Sequence, residues 1–169
     1  MARIWVCGLD DLPGVVERVR PARLVSLLPR AEQPPTPLGM APANHLRLFV
    51  DDVEQPAIGR AAPGPEDVLA LIRFVRAAPR NVSVVIHCLA GVSRSPAAAL
   101  VALALDAPGR EREAARALRA ASPCASPNRL IVELADAALE RNGALSAALS
   151  EMSEPDFVDL VPFWLPRTL

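Results

Sequence analysis

The stretch that most constrains this chain is Val82-Ser83-Val84-Val85-Ile86, followed at once by His87-Cys88-Leu89-Ala90-Gly91-Val92-Ser93-Arg94-Ser95-Pro96. A run this rich in β-branched residues suits a strand buried on both faces of a sheet. Pro96 fits the first position of a helix and Ser95 its N-cap, and the apolar residues to Leu105 continue that helix. A buried strand therefore turns directly into a helix, which is the usual ligand position in open α/β sheets. Backbone N–H groups and the positive end of the helix dipole then converge on Cys88. These dipoles and the Arg94 guanidinium favour the ionised sulfur, so Cys88 reads as a nucleophile at neutral pH. The five residues Leu89, Ala90, Gly91, Val92 and Ser93 are enough to curl into a cradle of phosphate size, with Gly91 free to take backbone angles that a Cβ forbids. Arg94 adds a planar fork matching two oxygens of a phosphoryl group.

The rest of the chain supplies partners for that strand. Ile4 to Cys7 and Arg23 to Leu28 read as strands, with a short helix between them capped by Asp10 or Asp11 and carrying Pro13 in its first turn. Residues 29–43 are proline-rich and predict a surface loop. Leu46 to Val50 alternates and ends in Asp51-Asp52, so a strand delivers two carboxylates to its C-terminal edge. A Pro/Gly-rich loop over 53–64 leads to a helix opening at Pro65-Glu66-Asp67. Further helices are predicted over about 96–106, 110–121 and 128–141, the last stopped by Gly143. The end of the chain carries Phe157, Phe163 and Trp164 and is expected to dock on the core. Strands alternating with helices predict an α/β fold: a mainly parallel central sheet of four or five strands flanked by helices, in one domain over 1–169. Its core spans about 3–142, with 144–169 as an extension.

Composition narrows the function. A net charge of −1 lacks the broad basic field of a nucleic-acid binder. The basic residues are all Arg, and Ala is abundant, which reads as coding bias. Cys7, Cys88 and Cys124 are odd in number, with neither a C-x-x-C pair nor metal-ligand spacing, so neither a disulfide framework nor a metal site is expected. Met1 to Gly8 is too short for a signal peptide, and the run Pro96 to Leu105 is too short to span a bilayer. The expectation is a cytoplasmic protein with no membrane or nucleic-acid partner and no indicated oligomeric state.

His87 to Ser95 resembles the signature H-C-x5-R-[ST] of the cysteine-dependent protein tyrosine phosphatases, in the form H-C-x-x-G-x-S-R-S of the dual-specificity branch. Pro127-Asn128-Arg129-Leu130-Ile131-Val132-Glu133-Leu134 is similar to the P-N-x-x-F-x-x-Q-L segment of that branch, without its Phe and Gln. From about residue 3 to 165 the chain is similar to a bacterial group of predicted tyrosine phosphatases. The resemblance implies a hydrolase acting on phosphotyrosine, with phosphoserine and phosphothreonine within range, through a phosphocysteine and without a cofactor. It assigns Cys88 as nucleophile, Arg94 and the loop amides as phosphate binders, Ser95 as the hydroxyl that bonds the sulfur, and His87 as the brace behind the loop. The general acid is an upstream Asp. Asp51 and Asp52 stand 37 and 36 residues before Cys88, and the run through Glu54-Gln55-Pro56 favours Asp52, with Asp51 as the alternative.

Blander readings compete with some of these. One of Asp51 and Asp52 is expected to be a solvated loop acid. Asn128 reads as a capping or loop-fixing residue, His45 as a surface or strand-end residue, and Arg110, Arg112, Arg116 and Arg119 as a solvated helix face beside Glu111 and Glu113. The competing functions are a catalytically silent phosphoanion-binding module and a phosphatase of a non-protein phosphoester. An inositol polyphosphate finds no countercharge on Leu89, Ala90, Val92 and Ser93. Rhodanese-type sulfur transfer ranks last.

Overall fold

A computed structural model describes residues 2–156 and 158–169. In chain order the elements are β1 (Arg3–Cys7), α1 (Leu12–Val19), β2 (Arg23–Leu28), β3 (His45–Phe49), α2 (Pro65–Arg76), β4 (Val84–His87), α3 (Arg94–Ala104), α4 (Glu111–Ala121), α5 (Arg129–Ala138), α6 (Ala144–Ser150) and β5 (Phe163–Pro166). The sheet runs β3-β2-β4-β1-β5. Of the β-branched run, Val84, Val85 and Ile86 form the middle strand together with His87, while Val82 and Ser83 precede it; β4 is in parallel register with both β1 and β2, and Cys7 and Ser26 each pair with His87. Among the described residues only β5 is antiparallel, and it closes the β1 edge.

Side-chain alternation divides the sheet into two faces. Ile4, Val6, Val25, Val84 and Ile86 pack with Leu71 of α2, Leu100 of α3 and Ile131 of α5. Trp5, Cys7, Leu24 and Val85 turn the other way, onto Leu12 and Val15 of α1. Every residue of α3 is buried, as expected of a helix that is apolar on every side from Pro96 onward. Its alanines, Ala97, Ala98, Ala99, Ala102 and Ala104, lie in the core, so the Ala richness has a structural use here beyond coding bias. Near the end of the chain Phe163 and Leu165 are both buried, while Arg3 lies over the Trp164 ring at 3.7 Å. Phe157, expected to dock as well, lies outside the described residues.

Several sequence expectations need correction. The helix behind the loop starts at Arg94, with Ser93 in the N-cap position, instead of at Pro96 behind a Ser95 cap. The first N–H groups of a helix have no intrahelical partner, so Pro96 is tolerated inside the first turn. Asp11 occupies the N-cap position of α1 but makes no side-chain cap bond. The helix expected over 128–141 ends at Ala138, and α6 follows where the sequence pattern predicts no helix. Asp136, projecting from α5, accepts the N–H groups of Gly143, Leu145 and Ser146 and so caps α6 from outside its own segment. Glu111 is buried against Arg141 at 3.4 Å, whereas Arg110 and Arg112 make exposed pairs with Glu113 and Glu151. The proline-rich loop is tied down, with Gln33 donating to the carbonyls of Leu28 and Leu48.

Among the described residues no helix is long and apolar enough to cross a membrane.

Candidate active site

The crossing from β4 to α3 brings the predicted side chains together. Cys88 is 2% exposed, and the Ser95 hydroxyl donates to its sulfur at 3.1 Å. The start of α3 at Arg94 makes that contact possible, because it puts Ser95 in the first helical turn.

The loop Leu89–Ser93 is oriented through its carbonyls. Leu89 O accepts from Leu9 N at 2.9 Å, Val92 O from Ser126 N at 2.9 Å, and Ser93 O from Asn128 N at 3.2 Å. In a trans peptide the following N–H points opposite to the carbonyl. The N–H groups of Ala90, Ser93 and Arg94 are therefore turned away from these neighbours. Gly91, at φ +77°, makes the close approach possible: a Cβ there would stand 2.8 Å from the backbone of Cys7 and Gly8.

Arg94 is buried, and its Nη1 donates to Val50 O at 2.9 Å, which ties the loop to the end of β3. Its Nε is buried without a hydrogen-bond partner among the described residues. Asp52 Oδ2 lies 3.9 Å from that nitrogen. Asp52 Oδ1 accepts from Ser93 Oγ at 2.7 Å and from Asn128 Nδ2 at 3.1 Å. Asp51 is engaged elsewhere: Ala61 N donates to Oδ2 at 2.7 Å, and Arg60 pairs with Oδ1 at 3.1 Å. One carboxylate thus faces the cysteine loop and the other knots the 53–64 loop.

Asn128 does more than the capping foreseen for it. Its Oδ1 accepts from Ile131 N and caps α5, while its amide nitrogen donates to Asp52 and to Val53 O. No local pattern announces this clip, since its partners lie 75 and 76 residues away.

His87 is buried at the end of β4, and burial, with a smaller contribution from Arg94, pushes its pKa down to about 4 against the opposing bond to Cys88 O. Its Nε2 lies 2.5 Å from Ser26 Oγ, and Ser26 Oγ lies 2.8 Å from His45 Nε2. His45 does stand at a strand end, but it is buried where a surface position was also open to it, and burial lowers its pKa to about 4. Nothing local in the sequence marks Ser26 or His45 as a site residue, because a serine in a strand and an isolated histidine carry no motif. Cys7 points to the α1 face, away from the core that holds Cys88, and burial pushes its thiol up to about 12.

No family model and no curated protein matches the chain. Solved structures do. The chain is similar to DUSP15, with a TM-score of 0.66 and 16% identity over 91% of this chain and 95% of that one. It is similar to the PTP-2 phosphatase of Cydia pomonella, with a TM-score of 0.58 and 20% identity over 79% and 84% of the two chains. Against Tk-PTP in its active form the TM-score is 0.56, with 21% identity over 83% and 94%. What the chain shares with them is the fold, which among this chain's described residues is a five-stranded, mainly parallel sheet flanked by six α-helices.

Proposed function

We propose that this chain, built on the fold of dual-specificity and tyrosine phosphatases, hydrolyses phosphomonoesters on proteins through a phosphocysteine at Cys88. Phosphotyrosine is the principal substrate, and phosphoserine and phosphothreonine are within range. The observation that carries this reading is the convergence of three elements on one loop. Ser95 Oγ lies 3.1 Å from the Cys88 sulfur, and Asp52, brought in from the end of β3, presents Oδ2 at 3.9 Å from Arg94 Nε.

In the first step the ionised sulfur attacks phosphorus in line, and an S–P bond forms as the ester P–O bond breaks. The leaving oxygen takes a proton from Asp52. Oδ1 of that carboxyl already accepts two hydrogen bonds, so the transferable proton sits on Oδ2. Arg94 Nε, which has no hydrogen-bond partner among the described residues, and the N–H groups of Ala90, Ser93 and Arg94 supply donors for the equatorial oxygens, where charge is held in the transition state. In the second step Asp52 takes a proton from water, the water oxygen attacks phosphorus, and the S–P bond breaks. The Ser95 hydroxyl, already aimed at the sulfur, stabilises the thiolate as it departs. The uncharged loop side chains favour a phosphomonoester on a protein over a polyanionic inositol phosphate.

Cys88→Ser tests the reading. The variant is expected to lose turnover of an aryl phosphate while still binding tungstate; a variant that keeps wild-type turnover refutes the mechanism.

A further inference from the structure

Behind the catalytic loop a line of polar side chains crosses β4, β2 and β3 and continues into the proline-rich loop, and the steps above do not use it. His87 Nδ1 is 3.3 Å from Cys88 O, and His87 Nε2 is 2.5 Å from Ser26 Oγ. Ser26 Oγ is 2.8 Å from His45 Nε2, His45 Nδ1 is 3.1 Å from Thr36 Oγ1, and Arg47 Nη2 donates to Thr36 Oγ1 at 2.9 Å.

The protons on this line have one consistent arrangement. A carbonyl only accepts, so His87 must carry its proton on Nδ1. Burial keeps both imidazoles neutral at pH 7, each pKa being lowered to about 4. His87 Nε2 is then an acceptor, and the Ser26 hydroxyl must donate to it. With its one proton committed, Ser26 oxygen accepts from His45, so His45 carries its proton on Nε2. His45 Nδ1 is left as an acceptor and takes the Thr36 proton, while the Thr36 oxygen accepts from the Arg47 cation. Reversing Ser26 would put a lone pair of His87 against the Cys88 carbonyl. A buried polar chain with every member satisfied is stiff, and it specifies a single arrangement.

We infer that His45, acting through Ser26, is a positioning residue for the cysteine loop. It belongs to a relay from Arg47 to Cys88 O in which every proton is donated toward the nucleophile and the two histidines hold opposite tautomers. Its effect on rate rests on the hydrolase reading above; the tautomers do not.

The chain contains two histidines, so a long-range proton–nitrogen correlation spectrum of the full chain with 15N-labelled histidine, at pH 7, shows two imidazoles. The expected result is two neutral rings of opposite tautomer, His87 with its proton on Nδ1 and His45 on Nε2. A shared tautomer, or a doubly protonated ring, overturns the inference. The rate arm compares His45→Gln, whose amide can both donate to Ser26 and accept from Thr36, with His45→Leu, which can do neither. H45Q is expected to stay within about twofold of wild type, and H45L to lose roughly three- to tenfold in kcat on an aryl phosphate at unchanged KM, the rate equivalent of about one net hydrogen bond. If His45 only fills space, Leu serves as well as Gln, and equal rates overturn the relay. Should H45L fail to fold, Thr36→Val against Thr36→Ser repeats the contrast in the loop, with loss in the first and rescue in the second. A wild-type protein that turns over no aryl phosphate refutes the hydrolase reading alone, and the two tautomers still decide the relay.

Discussion

Replacing Gly91 by alanine should separate the two demands that the cysteine loop places on its backbone. At φ +77° an alanine costs about 1–2 kcal/mol through the contact of its Cβ with the carbonyl oxygen. Loss of unfolded-state freedom offsets roughly 0.4–1 kcal/mol of that. Gly109, at φ +83° with nothing within 4 Å, meets only these two effects. Gly109→Ala should therefore destabilise by about 0–1.5 kcal/mol. At Gly91 the new Cβ also lies 2.8 Å from Cys7 C and Gly8 N, where ordinary contact begins at 3.4 Å. Nothing flexible stands there to yield. The turn after β1 is itself bonded to the loop through Leu9 N and Leu89 O at 2.9 Å, so backbone must move against backbone. Overpacking of this kind adds about 1–3 kcal/mol, and Gly91→Ala should lose about 1–4.5 kcal/mol in all. In urea, with a slope of about 2 kcal/mol/M, the two variants should differ in midpoint by roughly 1 M. A shift of the loop amides by a fraction of an ångström should also cost turnover about 10- to 100-fold in Gly91→Ala. Equal midpoints for the two alanine variants would refute the reasoning, because the dihedral effect is common to both and only the contact distinguishes them.

Other outcomes follow from the same geometry. Asp52→Asn should lower kcat about 10²- to 10⁴-fold and flatten the basic limb of the pH–rate profile, whereas Asp51→Asn should keep that limb and loosen the loop it bonds through Ala61 and Arg60; a flattened limb in Asp51→Asn instead would transfer the acid role. Asn128→Ala removes both the α5 cap and the donor to Asp52, so it should lose about 1 kcal/mol of stability by denaturation and also lower kcat, while loss of stability alone would deny the clip any part in the reaction. The histidines should make stability depend on pH. Both have native pKa values of about 4, below the ordinary value of 6.5, because burial disfavours the charged ring, so between those values the unfolded chain binds more protons and stability falls as pH is lowered. By pH 5 each contributes a loss of roughly 2 kcal/mol, and His45→Gln should remove about half of the difference in urea midpoint between pH 7 and pH 5; an unchanged difference would contradict the buried, neutral state of His45.

Much of this molecule could be read locally. β4, the loop after it and the helix beyond are contiguous, and contiguous residues reveal their geometry through hydrophobic period, Gly, Pro and capping types. Cys88, Arg94, Ser95 and Gly91 share one turn of chain, so their meeting needs no long-range information. The sequence places the start of α3 two residues late, at Pro96 instead of Arg94, because proline is compatible with more than one position in the first turn.

What tertiary structure alone decided lies wherever the partners are far apart in the chain. Asp51 and Asp52 are indistinguishable by composition and spacing; Arg60 and Ala61 claim the first, and Ser93 with Asn128 claim the second. α6 takes its cap from Asp136 in the preceding helix, and β5 exists because β1 offers it an edge. Ser26, His45 and His87 come from three strands whose order in the sheet is not their order in the chain, and only parallel register sets them side by side. A side chain's type limits which bonds it can make, but closing the sheet determines which partner is within 3 Å, and in a buried site that choice fixes both the charge state and the direction of every proton.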